Sequence, residues 1–225
     1  MLQDLFHLIF PNNCLACGNH LMKQEEVFCT SCEVDFPYTR IENFSDNVVS
    51  KIFYGRCDIE EAYSLVYFKK GGKTQNLLHQ LKYNDKPQIG RRFGVLLGNQ
   101  LTKFSKQTYD ALIPIPLHPK KEQKRGYNQA LQIALGITES SSIVTKNNLL
   151  KRLHYNESQT SKNRFSRWEN TTNIFSTSDE IKNLSSVLIV DDVITTGSTI
   201  EACVNSIKAT HPDCKISVCS IGVAM

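Results

Sequence analysis

The stretch Val187-Leu188-Ile189-Val190-Asp191-Asp192-Val193-Ile194-Thr195-Thr196-Gly197-Ser198-Thr199 constrains this chain more than any other. Four apolar residues in a row, two of them valine, predict a strand buried on both faces. The strand is expected to end in the two carboxylates and to pass into a loop of threonines, glycine and serine. Beyond it Ile200, Cys203, Val204 and Ile207 recur at helical spacing, and Ser198-x-x-Glu201 fits a capping box. Unpaired N–H groups at that helix start, with the hydroxyls of Thr195, Thr196, Ser198 and Thr199 around Gly197, make a cradle for a phosphate. Asp191 and Asp192 are acceptor-only groups suited to a vicinal diol, directly or through a bound cation. A phosphate holder beside a diol holder describes a ribose 5-phosphate site. The plainer account of the same residues is a buried strand with a polar turn.

This string resembles the signature with which type I phosphoribosyltransferases bind phosphoribosyl pyrophosphate (PRPP): four hydrophobic residues, two acidic residues, then a Thr/Gly/Ser-rich loop. The resemblance implies an α/β domain with a parallel sheet, and Mg²⁺ accompanying PRPP.

Length and patterning agree with one such domain plus a small appendage. The chain has 225 residues and no run of eighteen apolar ones, so no membrane insertion is expected. Its first residues, Met1 to Pro11, are apolar but short, carry Asp4 and lack leading basic residues. They make a poor signal peptide and a fair short helix, with Leu2, Leu5, Phe6 and Ile9 on one face. A cytoplasmic protein is expected.

Four of eight cysteines fall as Cys14-x-x-Cys17 and Cys29-x-x-Cys32. Two such knuckles place four thiolates around a tetrahedral ion, as in closed, structural zinc sites, and Gly18 suits the tight turn after the first pair. Two disulfides, which a reducing compartment disfavours, and a redox pair are the other readings. Cys57, Cys203, Cys214 and Cys219 read as small core residues. Residues 1–40 are therefore expected to form a metal-held module, 41–60 a linker, and 61–225 the main domain.

Within the main domain, Tyr63 to Phe68 reads as a strand and Gly71-Gly72-Lys73-Thr74 as a hairpin turn. A P-loop would need glycine where Tyr67 stands. Helices are expected through Leu77, Leu78 and Leu81, through Phe93, Leu97, Leu101 and Phe104, and from Asn128 to a capping Gly136. Further strands are expected over Asp110–Leu117, partly over Thr145–Leu153, and over Ile216–Val223. Residues 156–173 read as a mobile loop. Strands alternating with helices give a parallel sheet with the ligand at the carboxyl ends of its strands.

The net charge is +4, and between His118 and Arg167 there are ten Lys/Arg against three Asp/Glu. That excess argues for an anionic ligand or nucleic acid, or for a solvated lysine-rich surface. Here Leu112-Ile113-Pro114-Ile115-Pro116-Leu117-His118-Pro119 leads through a proline-stiffened exit loop to Lys120, Lys121, Lys124, Arg125, Gly126, Tyr127, Asn128 and Gln129. A pyrophosphate would be held by such a loop.

The Pro-Ile-Pro-Leu-His-Pro-Lys-Lys run, followed by Arg125-Gly126-Tyr127-Asn128-Gln129-Ala130, resembles the signature of the ComF/GntX family. These are competence-associated, phosphoribosyltransferase-like proteins, many with an N-terminal zinc-binding module. Arg152, Gln159, Arg167 and Asn170 match that family's Arg-x6-Gln-x7-Arg-x2-Asn spacing. Lys82-Tyr83 resembles its Lys-Tyr before Gly-Asp, although Asn84 replaces the usual glycine, and Asn156 stands where threonine is common. The resemblance implies that the segment matching 152–170 closes over PRPP. Arg152, Arg164 and Arg167 would meet phosphate oxygens and Gln159 would bridge. No Ser-His-Asp arrangement is visible, so positioning and charge would supply any catalysis.

Three functions fit. One is phosphoribosyl transfer to a base or other nucleophile. The second is single-stranded DNA handling during uptake, alongside competence proteins, which the family's association implies. The third is sensing of PRPP or a nucleotide without turnover. Tyr127, Tyr155, Phe165 and Trp168 among the cations suit a single strand. The overall expectation is a ComF-like protein with a PRPP-type site acting in DNA uptake, its catalysis open.

Overall fold

The computed structural model describes residues 12–69, 71–153 and 174–224. Its centre is a four-stranded parallel sheet of β1 (Ala62–Phe68), β6 (Lys215–Ala224), β5 (Ser186–Ile194) and β2 (Ala111–Pro114), in that spatial order. β5 is central and buried on both faces, as its apolar run requires: Val187 to Val190 are each at most 1% exposed. The period of two splits the strand between two cores. Leu188 and Val190 join the layer beneath α3 (Pro87–Phe104) and α5 (Gln129–Ser141), whereas Val187 and Ile189 join the layer beneath α6 (Ser198–Thr210).

The helices follow from their apolar spacing. α2 (Lys73–Tyr83) buries Leu77, Leu78 and Leu81, and α3 buries Ile89, Phe93, Leu97 and Leu101. α3 and α5 touch through glycine. A Cβ on Gly94 would come closer than 3.0 Å to the Ile133 carbonyl oxygen, and one on Gly136 equally close to that of Arg91. Gly136 therefore sits inside α5 as a close-approach point and does not cap it. The left-handed residue after the helix is Ser142 (φ 62°).

Other expectations are also revised. Gly71 and Gly72 turn the chain from a strand into a helix that already holds Lys73 and Thr74, because β1 pairs with parallel β6 and has no hairpin partner among the described residues. The exit from β2 winds into a short helix, α4 (Pro119–Arg125), that starts at His118 and stops at Gly126 (φ 81°). β2 itself ends at Pro114. Of 145–153 only Leu150–Arg152 (β3) is a strand, paired antiparallel with β4 (Phe175–Thr177). Residues 41–60, expected as a linker, bury Phe44, Val49 and Phe53 in the two cores, the last at the end of a 3₁₀ turn over Ser50–Phe53.

The cysteine module shares the larger core. Its short helix α1 (Thr30–Val34) carries Glu33, which receives a bidentate bond from Arg92 of α3 at 2.5 and 2.9 Å. The Phe28 and Phe36 rings lie 5.1 and 5.3 Å from Phe93. Lys73 and Gln80 of α2 bond to Asp35 (2.5 Å) and to the Leu15 carbonyl (3.1 Å). A segment too small to bury a core alone borrows one from α2 and α3. The expected N-terminal helix and the expected loop over 156–173 lie outside the described residues, among which no helix is long and apolar enough to cross a membrane.

Candidate functional site

β5 delivers Asp191 and Asp192 to the carboxyl edge of the sheet, still within the strand, which runs on to Ile194. The Asp192 N–H donates to Asp191 Oδ1 at 2.8 Å. Burial and then the Asp192 charge push the Asp191 carboxyl up to about 7, with Lys82 and Arg152 working against the rise. Lys82, near the end of α2, reaches across to Asp192 Oδ2 at 2.8 Å, both side chains largely covered.

The loop after β5 turns at Gly197, which has φ 75° and is the N-cap of α6. Only glycine fits there: besides the positive φ, a Cβ would come within 2.8 Å of the Phe53 ring and 2.9 Å of Ile52. The expected capping box does not form. No side chain caps α6, and Glu201 instead receives Arg56, which also bonds to the Thr196 carbonyl and, at 3.4 Å, to Ser198 Oγ. Arg56 and the 3₁₀ turn thus brace the loop from behind, a role that nothing in the local sequence signals. In front, Asp191 and Val193 to Ile200 wall a small hollow of about 30 Å³ at the start of α6. Thr195, Thr196, Gly197, Ser198 and Thr199 all line it, so the expected loop is assembled as one surface.

A larger cleft of about 430 Å³ opens beside the hollow. One wall is α2, through Leu78, His79, Lys82 and Tyr83. Arg125, Asn128, Gln129 and Arg152 also line the cleft, together with Asp191, Asp192, Thr195 and Thr199, and the Arg125 guanidinium lies over the Tyr83 ring, 5.4 Å from its centroid. Asn128 is itself fixed: its amide donates to the Ile115 carbonyl at 3.0 Å, and its Oδ1 accepts from the Ala130 N–H at 3.0 Å to cap α5. Arg125 bonds to Gln129 at 2.7 Å. Burial, together with the Arg152 and Arg125 charges, lowers the Lys121 ammonium below its usual range, so these three cations share one neighbourhood. His118 and Lys120 stand at the start of α4, where the His118 ring nitrogen accepts from the Lys120 N–H at 3.2 Å, and do not line the cleft. Tyr127 is half-buried with its hydroxyl bonded to the Leu81 carbonyl, so its ring is a packing element. Gln159, Arg164, Arg167 and Trp168 lie outside the described residues. Lys82, His79 and Tyr83 were not read as site residues, although Lys82-Tyr83 stood out as a family-like pair.

The N-terminal cysteines form a second constellation. The Sγ atoms of Cys14, Cys17, Cys29 and Cys32 lie within 4.8 Å of one another, and Cys17 to Cys29 is 3.8 Å. A tetrahedron with metal–sulfur bonds of about 2.3 Å has edges of about 3.8 Å, so the cluster fits a closed four-thiolate metal site. The Cys29 N–H donates to Cys14 Sγ at 3.2 Å, and Gly18 makes the expected turn at φ 81°. Burial raises the Cys14 thiol, but the N–H donors of Cys29, Cys17 and Ala16 outweigh it and bring the group down to about 7. Cys32 is pushed the other way, first by burial and then by the neighbouring sulfurs.

A parallel sheet whose central strand carries an acidic pair and runs into a Thr-Thr-Gly-Ser-Thr helix start makes this the parallel-sheet α/β domain expected from the sequence, here with a four-cysteine module. No protein-family model matches the chain. It is 31% identical over 131 residues to Competence protein F of Haemophilus influenzae, covering 55% of this chain and 57% of that protein. It is 28% identical over 123 residues to Competence protein ComFC of Bacillus subtilis, covering 55% and 48%, and 28% identical over 134 residues to DNA utilization protein YhgH of Salmonella typhi, covering 55% and 56%. Among solved structures, the glutamine PRPP amidotransferase of Bacillus subtilis complexed with ADP and GMP superposes with a TM-score of 0.43 at 17% identity, over 62% of this chain and 30% of that one. The chain is thus similar to competence-named and DNA-utilization proteins, and it spans about half the length of the curated relatives it matches.

Proposed function

We propose that the cleft binds PRPP or another ribose 5-phosphate ligand and that the protein acts in DNA uptake, handling single-stranded DNA in the cytoplasm. One observation carries the first half: an acidic pair, two threonines of a hydroxyl-rich helix start and two arginines line a single cleft, and the rest of that helix start lines the hollow that shares Asp191, Thr195 and Thr199 with it. Asp191 and Asp192 would take the ribose hydroxyls, with Mg²⁺ assisting, and Thr195 to Thr199 the 5-phosphate. Arg125 and Arg152, with Lys121, Lys120 and His118 behind them and Gln159, Arg164 and Arg167 from the following segment, would take the pyrophosphate. The names of the relatives, competence and DNA utilization, support the second half. Cys14, Cys17, Cys29 and Cys32 would hold one structural zinc. Phosphoribosyl transfer is a second reading, favoured by the cations standing where a leaving pyrophosphate would be held.

Calorimetry with PRPP and Mg²⁺ tests the site. Asp192→Ala is expected to weaken binding by about 1–3 kcal/mol, the loss typical of hydrogen bonds to a charged group. Equal affinity in the variant removes the assignment.

Anisotropy on a labelled oligonucleotide tests the DNA reading. If phosphate contacts dominate, affinity should fall by about 0.7 log units per log unit of salt for each contact. Trp168→Ala should cost about 1–3 kcal/mol if that ring stacks a base. No binding at low salt, beside base-dependent release of pyrophosphate, would leave plain transfer as the function.

A further inference from the structure

Few of the eight thiols can meet a reagent from solution. Cys203, Cys214 and Cys219 are fully buried, and within the N-terminal cluster Cys14 and Cys32 are only 2% and 3% exposed. Cys17, Cys29 and Cys57 remain. Burial pushes the Cys57 thiol up to about 11, which leaves little nucleophilic thiolate at neutral pH. A metal ion in the cluster would instead keep Cys17 and Cys29 as thiolates. Cys17 is exposed, Cys29 is half-buried, and their Sγ atoms are 3.8 Å apart. A disulfide of about 2.05 Å needs that gap to close by about 1.8 Å. The turn has room to yield, because residues 17–20 are all exposed and a Cβ on Gly18 would meet nothing within 4 Å. Asp35, and after it Cys32 and Cys17, hold the Lys73 ammonium above its usual range, so a cation stands beside the exposed sulfur. A reachable thiolate with a neighbouring cation and a second cysteine in reach is the setting in which oxidation is selective.

We infer that Cys17 and Cys29 form a reversible oxidation site for hydrogen peroxide, and that their closure into a disulfide releases the metal and loosens α2. The inference rests on the four-thiolate reading of the cluster. The Cys17 thiolate attacks one peroxide oxygen: a sulfur–oxygen bond forms, the oxygen–oxygen bond breaks, and hydroxide leaves. The Cys29 thiolate then attacks the resulting sulfenic sulfur, the sulfur–oxygen bond breaks, and a second hydroxide leaves. The two thiolates lose two electrons in all, and the peroxide gains them. Cys14 and Cys32 are then two ligands where a closed site needs four. Each knuckle is also tied to α2. Leu15, between Cys14 and Cys17, accepts from Gln80 through its carbonyl, and Asp35, just past α1, accepts from Lys73. A displaced knuckle therefore slackens the helix at both ties.

Peroxide treatment of the full chain, analysed for metal beforehand and followed with a chromogenic zinc chelator, tests the site. One zinc and two thiols per chain are expected to be lost together. Peptide mapping without reductant should find a Cys17–Cys29 bridge, and hydrogen exchange should quicken over residues 73–83. Dithiothreitol with Zn²⁺ should restore the metal, the thiols and the slow exchange. Zinc retained until Cys57 is itself oxidised overturns the site, and so does a bridge within either Cys-x-x-Cys pair. A product that dithiothreitol does not reduce overturns its reversibility. Release with unchanged exchange over 73–83 overturns the coupling to α2. A chain that holds no metal yet forms the Cys17–Cys29 bridge keeps the oxidation site and overturns the zinc reading instead.

Discussion

Gly136→Ala is expected to destabilise the protein by about 2 kcal/mol or more, although alanine is the better helix former. Two effects oppose each other. In a helix interior alanine gains about 1 kcal/mol over glycine. Against that, the new Cβ would sit under 3.0 Å from the Arg91 carbonyl oxygen and carbon, both backbone atoms of a packed helix. Backbone cannot rotate away as a side-chain tip can, so α3 and α5 must separate along their seam. Forcing a methyl group into a well-packed core costs about 1–3 kcal/mol and sometimes more. Here it also opens the contacts around Ile133 and Phe93, which are fully buried. Urea titration of parent and variant measures the change, and a variant at least as stable as the parent would show that the helices part freely. Because α5 begins at Asn128, which lines the cleft and is tied to the exit of β2, a shifted seam should weaken ligand binding too.

The same glycine shows where sequence reading works and where it stops. Gly136 reads as a helix stop because glycine commonly marks one, yet here it is kept for a neighbour over forty residues away in the chain. Local punctuation and tertiary close approach use the same residue, and only the fold separates them. β5 was legible from its unbroken apolar run, and α2 and α3 because their apolar residues repeat with the helical period. α4 was not, since none of its seven residues is buried and an exposed helix has no apolar period. The acids, hydroxyls and glycine of 191–199 were legible as a group because one short segment supplies them all. Their supports, Lys82 on Asp192 and Arg56 on Thr196 and Glu201, arrive from distant segments. Glu201 was assigned to a cap that an arginine outcompetes; nothing local to residue 201 announces that partner.

Removing one ligand of the cysteine cluster is expected to have the largest effect of all. Purified protein should carry one zinc per chain, and Cys32→Ser should lose it. Cys32 is 3% exposed and shares its core with Phe28, Phe36 and Phe93. Structural zinc contributes roughly 10–16 kcal/mol of apparent binding free energy in zinc-finger peptides, most of it expressed as folding. Without the ion, the three remaining thiols and the new hydroxyl stay clustered, the buried ones among them desolvated, and lose the ligand that compensates it. The module's remaining apolar contacts are too few to hold it closed, so the Phe28 and Phe36 rings should leave Phe93. The damage should then reach the cleft. Asp35 and the Leu15 carbonyl of the module hold Lys73 and Gln80 of α2, and α2 carries Lys82 and the Tyr83 wall. Elemental analysis, near-ultraviolet circular dichroism and PRPP calorimetry on parent and Cys32→Ser follow these three consequences in order. A variant with no metal, an unchanged aromatic dichroism signal and full ligand affinity would show that the module stands on its aromatic packing alone. Metal loss with collapse of the aromatic signal but full affinity would instead confine zinc's role to the module and free α2 from it.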